Sequence, residues 1–319
     1  MLKIIILNYN GTSDTTACLE SLEEQSYQDF SVVVADNCSS EESRQCLSSW
    51  YRQHAWAKEK VHLIWFDENY GFARGNNEAL KAGEQSYRYG LCLNNDTVLA
   101  KDCLERMVSY MEEHSEVQVL TPAIYYYDNR DILWNAGGRL VFGGRRYYGA
   151  DQIDAVLQGR KEIDITFVTG CALMFRRQVC LDNGDLFTER FFFGEEDMDF
   201  SIRMRKSGIK MVCLTDAKLY HKVSASSKKN NNHYGMLFIH TLNRMINYRL
   251  HYSRLKYALW ETMYLPYMRF RFLRDLSYKG QSKFIKLLKE ESKQDGVSKA
   301  VFDKYRSFDF GNLPEKSEE

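Results

Sequence analysis

Along its first hundred residues the chain alternates unbroken apolar runs with segments whose apolar positions recur at helical spacing. Residues 3–7 are a β-rich run that stops at the turn cluster Asn8-Tyr9-Asn10-Gly11. Thr12 or Ser13 can cap the next segment, where Ala17, Leu19 and Leu22 line one face of a helix. Residues 30–35 form a second run, closed by Asp36-Asn37, and residues 61–66 a third, followed by the polar turn 67–71. The spacing predicts a helix over 75–89 and a fourth strand over 90–93, stopped by Asn94-Asn95-Asp96.

Strands that are apolar throughout, separated by helices, imply a parallel sheet covered on both faces. Ligands of such sheets bind outside the carboxyl ends of the strands. Here the strands run out into Asn and Asp, so those side chains should converge on one crevice. After a helix over 104–114 the pattern changes. Glycine pairs at 137–138 and 143–144 suggest hairpins within 131–148, and further strands are expected over 164–168, 172–175 and 210–214. A helix is expected over 200–206. From Tyr234 onward aromatic, Leu/Met and basic residues mix at helical spacing, with a break expected at Pro266.

Composition narrows the class. The 319 residues are 44% hydrophobic and include only three prolines, which suits one large domain, alone or with an appendage, and no linker. Eight cysteines without a C-x-x-C pair, several inside apolar runs, point to buried free thiols in a reducing cytoplasm. Residues 2–7 are too short for a signal or a membrane span, and the acidic end 315–319 reads as a frayed tail. Net charge is zero but unevenly spread: residues 222–290 hold fourteen Lys/Arg against three Asp/Glu. That asymmetry suits either a surface that meets something anionic or a solvated helical face.

Three groups carry candidate chemistry. Asp96 at a strand end could hold a divalent cation against phosphate oxygens, or could simply belong to a turn. Four carboxylates stand within Glu195-Glu196-Asp197-Met198-Asp199, flanked by Phe191-Phe192-Phe193 and Phe200. One of them could serve as a general base, and an acidic helix N-terminus accounts for them equally well. His221 lies past a strand and could be a neutral imidazole ligand or a structural histidine.

Taken in order, these segments resemble glycosyltransferase family 2, the inverting enzymes with the GT-A fold. The pieces are Ile4-Ile5-Ile6-Leu7-Asn8-Tyr9-Asn10, Val32-Val33-Val34-Ala35-Asp36-Asn37-Cys38-Ser39, Asn69-Tyr70-Gly71-Phe72-Ala73-Arg74-Gly75-Asn76-Asn77, Leu93-Asn94-Asn95-Asp96-Thr97, Thr169-Gly170-Cys171-Ala172 and Gly194-Glu195-Glu196-Asp197-Met198-Asp199. The Gly-Phe-Ala-x-Gly-Asn-Asn form is most similar to the branch with rhamnosyl- and galactofuranosyltransferases. The resemblance implies an α/β, Rossmann-like, mostly parallel sheet flanked by helices over residues 1–227. It leaves a helical, basic and aromatic C-terminal region over 228–319.

The resemblance also implies roles. Leu7, Asn8 and Tyr9 would line the base pocket, Asp36 would bind base or ribose, and Asn69, Gly71 and Asn76 would sit against ribose and phosphates. Asn94, Asn95 and Asp96 take the place of the family's D-x-D motif, with Asp96 as metal carboxylate and Asn94 replacing the first Asp. Asp197 matches the general base, Glu196 the residue that holds acceptor hydroxyls, and His221 the late metal-binding histidine. The expected cofactor is Mn2+ or Mg2+. The expected partners are a UDP- or dTDP-sugar donor, a glycan or lipid-linked acceptor, the anionic inner membrane face and a second copy, with no nucleic acid. Without G-x-G-x-x-G after the first strand or a P-loop, a dehydrogenase fits poorly. The competing readings are a nucleotidyltransferase and a catalytically silent module that binds through its basic third.

Overall fold

The computed structural model describes residues 1–150, 160–223 and 232–310. It divides into two compact units, Met1–Thr188 with Glu196–Ala225, and Glu189–Glu195 with Ser226–Glu319. The boundary expected at 227/228 and the tail 315–319 lie outside the described residues.

The first unit is built on strands β1 (Leu2–Asn8), β2 (Phe30–Asp36), β3 (Val61–Trp65) and β4 (Tyr89–Asn94), hydrogen-bonded in parallel in the order β4-β1-β2-β3. Their side chains alternate between two apolar cores. Ile4, Ile6, Val32, Val34, Leu91 and Leu93 face one, with helices α1 (Thr12–Glu23), α2 (Glu41–Gln53) and α5 (Cys103–Glu113). Ile5, Val33, Ala35 and Cys92 face the other, with α4 (Gly71–Lys81). Burial on both faces is the physical reason these runs lack polar alternation. A short helix α3 (Ala55–Lys60) leads into β3.

The sheet then turns mixed. β6 (Val117–Tyr126) and β12 (Lys210–His221) pair in parallel, and β11 (Ala172–Arg176) runs antiparallel between β4 and β6. β5 (Thr97–Leu99) and β10 (Glu162–Ile165) pair with β12, and β7 (Leu133–Asn135) with β6. β8 (Gly138–Val141) and β9 (Gly144–Tyr147) form the expected hairpin. Helices α6 (Arg177–Asn183) and α7 (Glu196–Lys206) complete the unit. Gly90 has a local cause: a Cβ there would lie 2.3 Å from the Phe175 ring, so β11 can pack against β4 only over a glycine.

Several expected boundaries are corrected. α1 is capped by Gly11 without a side-chain hydrogen bond, so neither Thr12 nor Ser13 is its cap. α4 starts at Gly71 and ends at Lys81, before the expected 75–89 span does, because Gly83 (φ +66°) turns the chain toward β4. The helix expected over 200–206 begins at Glu196. β12 continues to His221, since the polar stretch after Leu214 is a register shift within the strand and the edge partner β5 pairs with Leu219, Tyr220 and His221.

The second unit consists of α8 (His233–His251), α9 (Arg254–Phe272), α10 (Tyr278–Glu291) and α11 (Lys299–Arg306). Ser253, Ser277 and Ser298 accept backbone N–H bonds at the starts of the last three. Phe238 stacks on Tyr305 and Phe310 at their centre, with the Phe284 ring edge-on to Phe238. α9 runs through Pro266 and does not break there. Proline forfeits one backbone bond, and the burial of Trp260, Leu265 and Met268 on either side of it holds the helix.

Candidate functional site

The chain visits β1, β2 and β3 in one direction and then returns to β4 on the other side of β1. That reversal makes the carboxyl ends of β1 and β4 the topological switch point, the place where open α/β sheets bind ligands. In the register, Asn8 stands beside Asp36, and Leu7 beside Asn94.

Asn8 and Asp36 form a buried network. Asn8 Nδ2 donates to Asp36 Oδ2 at 2.8 Å, while its Oδ1 accepts from Thr15 Oγ1 and from the Gly11 amide. Asp36 Oδ1 accepts from the Ser39 amide and from Arg44 Nε at 2.8 Å. With Asp36 only 1% exposed, the Arg44 guanidinium compensates the desolvation of its carboxylate. Ser39 ends the second of the family-like segments without an assigned role, and sequence reading missed Arg44. Arg44's only signal is being the first cation after Glu41 and Glu42 in α2.

A second network closes the floor. Asn37 Nδ2 donates to Asn69 Oδ1 (3.0 Å) and to the Gly71 carbonyl (3.1 Å), and its Oδ1 accepts from the Tyr70 amide. Gly71, at φ +75°, occupies the left-handed region at the start of α4. Asn76 is 1% exposed and bonds Phe72 O and the Cys92 thiol, so it ties α4 to β4. Tyr9 is 54% exposed just past β1, and Leu7 is half-buried against α4.

At the far end of β4, Asn95 Nδ2 donates to Thr15 Oγ1 at 3.0 Å, and the Asn94 carbonyl accepts from Thr97 Oγ1. Asp96 Oδ1 lies 3.0 Å from His221 Nε2, with side-chain exposures of 16% and 9%. The Lys222 amide donates to the Asp96 carbonyl at 2.9 Å. Lys222 Nζ pairs with Asp14 at 2.7 Å, a partnership the sequence did not reveal. The Trp134 ring meets His221 edge-on at 4.7 Å. Charge is felt through the core here: burial raises the Cys18 thiol to about 12, and Asp96 adds to the shift.

The donor set suits a divalent ion. His221 Nδ1 is buried without a hydrogen-bond partner among the described residues, and Nε2 faces a carboxylate oxygen. At 3.0 Å the two side chains are in hydrogen-bond contact, and the same oxygen and nitrogen donors would serve to hold a divalent ion. Among the described residues no group of three His, Cys, Asp or Glu gathers, so further ligands of such an ion would come from a bound ligand and water.

Glu196 and Asp197 open α7, with Glu196 buried and Asp197 half-buried. Burial holds the Cys92 thiol well above its usual range and the Glu196 charge pushes it further, so this carboxylate lies within electrostatic reach of β4. Asp199 is held by Arg203 one turn on, at 2.8 Å.

The residues just before α7 belong to the second unit. Gly194 (φ +93°) and Glu195 (φ +67°) both occupy the left-handed region, which is unfavourable for glutamate. α8 holds this turn. Asn243 donates to the carbonyls of Phe193 and Gly194 at 2.9 Å each, and Asn247 to that of Glu195 at 3.0 Å. Arg244 pairs with the Glu195 carboxylate at 2.8 Å. Neither Asn243 nor Asn247 was singled out from sequence.

Comparisons with known proteins agree with this architecture. The sequence profile of glycosyl transferase family 2 matches residues 3–183. A Bacillus subtilis (strain 168) protein bearing the name teichuronic acid biosynthesis glycosyltransferase TuaG is 28% identical over 115 residues, 36% of this chain and 43% of that one. The chain thus spans less than half the length of this relative. S. aureus TarS 1-349 in complex with UDP-GlcNAc superposes with TM-score 0.60 at 17% identity, over 96% of this chain and 89% of that one. Mannosyltransferase PcManGT from Pyrobaculum calidifontis, in complex with GDP-Man and Mn2+, superposes with TM-score 0.55 at 14% identity, over 92% and 86%.

Proposed function

Because the chain belongs to glycosyl transferase family 2, we propose that it transfers a sugar, with inversion, from a nucleoside diphosphate donor to a hydroxyl of a glycan or lipid-linked acceptor. The observation that carries this reading is the Asp96–His221 pair, 3.0 Å apart just past the carboxyl end of β4. The base and ribose of a UDP- or dTDP-sugar would lie along Leu7, Asn8, Tyr9 and Asp36, and the phosphates near Asn69, Gly71 and Asn94-Asn95-Asp96. Rhamnosyl or galactofuranosyl donors are the sugars favoured by the Gly71-to-Asn77 motif.

Asp197 accepts the proton of the acceptor hydroxyl as that oxygen bonds to the anomeric carbon, and the bond to the diphosphate breaks on the opposite face. Glu196 orients the acceptor hydroxyls. Asp96 and His221 would hold Mn2+ or Mg2+, which supplies charge neutralisation for the departing diphosphate. Lys222, kept in place by Asp14, adds a fixed positive charge close by. The name of the Bacillus subtilis relative supports a role in cell-wall polysaccharide synthesis. Eight free cysteines support a reducing cytoplasmic setting, with the acceptor presented at the inner membrane face.

The test is a panel of UDP- and dTDP-sugars with manganese, followed by thermal stabilisation and by slow donor hydrolysis without acceptor. A stabilised protein that releases nucleoside diphosphate supports the reading. No stabilisation and no hydrolysis with any nucleotide-sugar would leave a silent binding module in its place.

A further inference from the structure

Helix α9 has two apolar faces, and the helical unit uses one of them. Trp260, Leu265 and Met268 are buried at 2%, 7% and 1% exposure. On another face stand Leu255, Leu259, Met263, Tyr267 and Phe270, exposed at 82%, 56%, 60%, 53% and 84%. Successive steps of four, four, four and three residues keep this stripe within about 120° of the helix circumference, over a length of about 22 Å. Scattered exposed apolar residues are ordinary on a soluble protein, whereas a continuous stripe marks a surface that meets something.

The charges around the stripe identify what it meets. Arg254 and Lys256 stand at the start of α9, Arg269 and Arg271 at its end, and Arg274 and Lys279 just beyond. Over residues 254–279 only Glu261 and Asp275 oppose these six cations. A second copy docked through a two-fold axis would set this basic rim against itself, which is repulsive. Among the described residues no helix is long and apolar enough to cross a membrane. We infer that this face of α9 docks in the plane of a bilayer containing anionic lipid, with the stripe among the headgroups and the Arg/Lys rim on their phosphates. Leu, Met, Tyr and Phe over a basic border is the composition of helices that lie in that interface. The inference deepens the reading of a lipid-linked acceptor and rests on it for its purpose, since docking would bring the chain to such an acceptor. Its evidence is the helix face alone.

The experiment is co-sedimentation of the full chain with vesicles of phosphatidylglycerol mixed with phosphatidylcholine, and of phosphatidylcholine alone. The chain should pellet with the anionic vesicles at low salt, and less so as salt is raised. Arg269→Gln, Arg271→Gln and Arg274→Gln together should weaken partitioning by about 100-fold. Leu259→Ser, Met263→Ser and Phe270→Ser together should abolish it. All six positions are exposed, so both variants should melt as the wild type does and hydrolyse donor in solution at the wild-type rate. Vesicle binding by a chain that hydrolyses no donor would sink the transferase reading and keep the docking face. A wild-type chain left in the supernatant, or variants that pellet undiminished, would overturn the inference. So would a wild-type dimer that the serine variant converts to monomers, because a second copy would then be what covers the stripe.

Discussion

Arg244 Nη2 lies 2.8 Å from Glu195 Oε1, a carboxylate whose side chain is 1% exposed and whose backbone adopts φ +67° two residues before Asp197. Removing one partner of a buried ion pair typically costs about 3–5 kcal/mol, because the remaining charge stays uncompensated. Arg244→Ala should therefore destabilise the helical unit by an amount near the lower end of that range, since Arg244 itself is partly exposed. Freeing the turn also frees the peptide that leads into Glu196 and Asp197, so turnover should fall more than donor KM rises. Denaturant titration and steady-state kinetics check both. Wild-type stability in Arg244→Ala would show that the pair holds nothing.

Asp197→Asn keeps the shape of the side chain and removes its basicity. Turnover should drop about 10²- to 10⁴-fold, the usual contribution of a general base, while donor affinity stays near wild type. Calorimetric donor binding beside a transfer assay separates the two, and near-normal turnover would remove Asp197 from the mechanism.

Asp96→Asn and His221→Ala each take one of two protein donors from the proposed metal site. Each should weaken manganese binding in the presence of a nucleoside diphosphate by more than about 10-fold, the loss typical of even an outer-shell partner. Manganese titrated by fluorescence or calorimetry reads this without any turnover. Full transfer activity in excess chelator would exclude both residues as ligands.

Lys3 gives a pH dependence of known sign. Its side chain is buried in β1 and donates to the carbonyls of Leu80 (2.6 Å) and Ala82 (2.5 Å), and burial lowers its pKa from 10.5 to about 8. Between these values the unfolded chain binds more protons than the folded one, so this group makes the fold more stable as pH rises from 8 toward 10.5. Below pH 8 the penalty is present in full. The gain is at most about 3 kcal/mol, at about 1.4 kcal/mol per pH unit. The stability difference between wild type and Lys3→Met, measured across this window, isolates it. A difference that is flat or of opposite slope contradicts the assignment.

The parallel block β3-β2-β1-β4 and the polar residues at its strand ends were legible in sequence because they depend on local properties. A strand buried on both faces reads as a near-continuous apolar run, and the first polar residues after the run mark its end. Hence Asn8, Asp36, Asn94 and Asp96 were found by reading where apolar runs end. Local cues failed where a distant partner decides the outcome. The polar stretch Thr215-Asp216-Ala217-Lys218 reads as a turn, yet β6 and β5 hold it within β12 and carry His221 to Asp96. Lys3 sits inside an apolar run, and partners remote in sequence, the carbonyls of Leu80 and Ala82 and the ring of Tyr87, make its burial tolerable.

The sequence by itself determined which runs are strands, that polar residues end them, and that acidic residues and a late histidine are available for chemistry. Pairing was decided by the tertiary structure. It set Arg44 against Asp36, Lys222 against Asp14 and His221 against Asp96, and it gave residues 189–195 to the helical unit. The reason is range: apolar periodicity is written into neighbouring residues, while a contact across 125 positions, as between Asp96 and His221, exists only once the sheet has closed the distance.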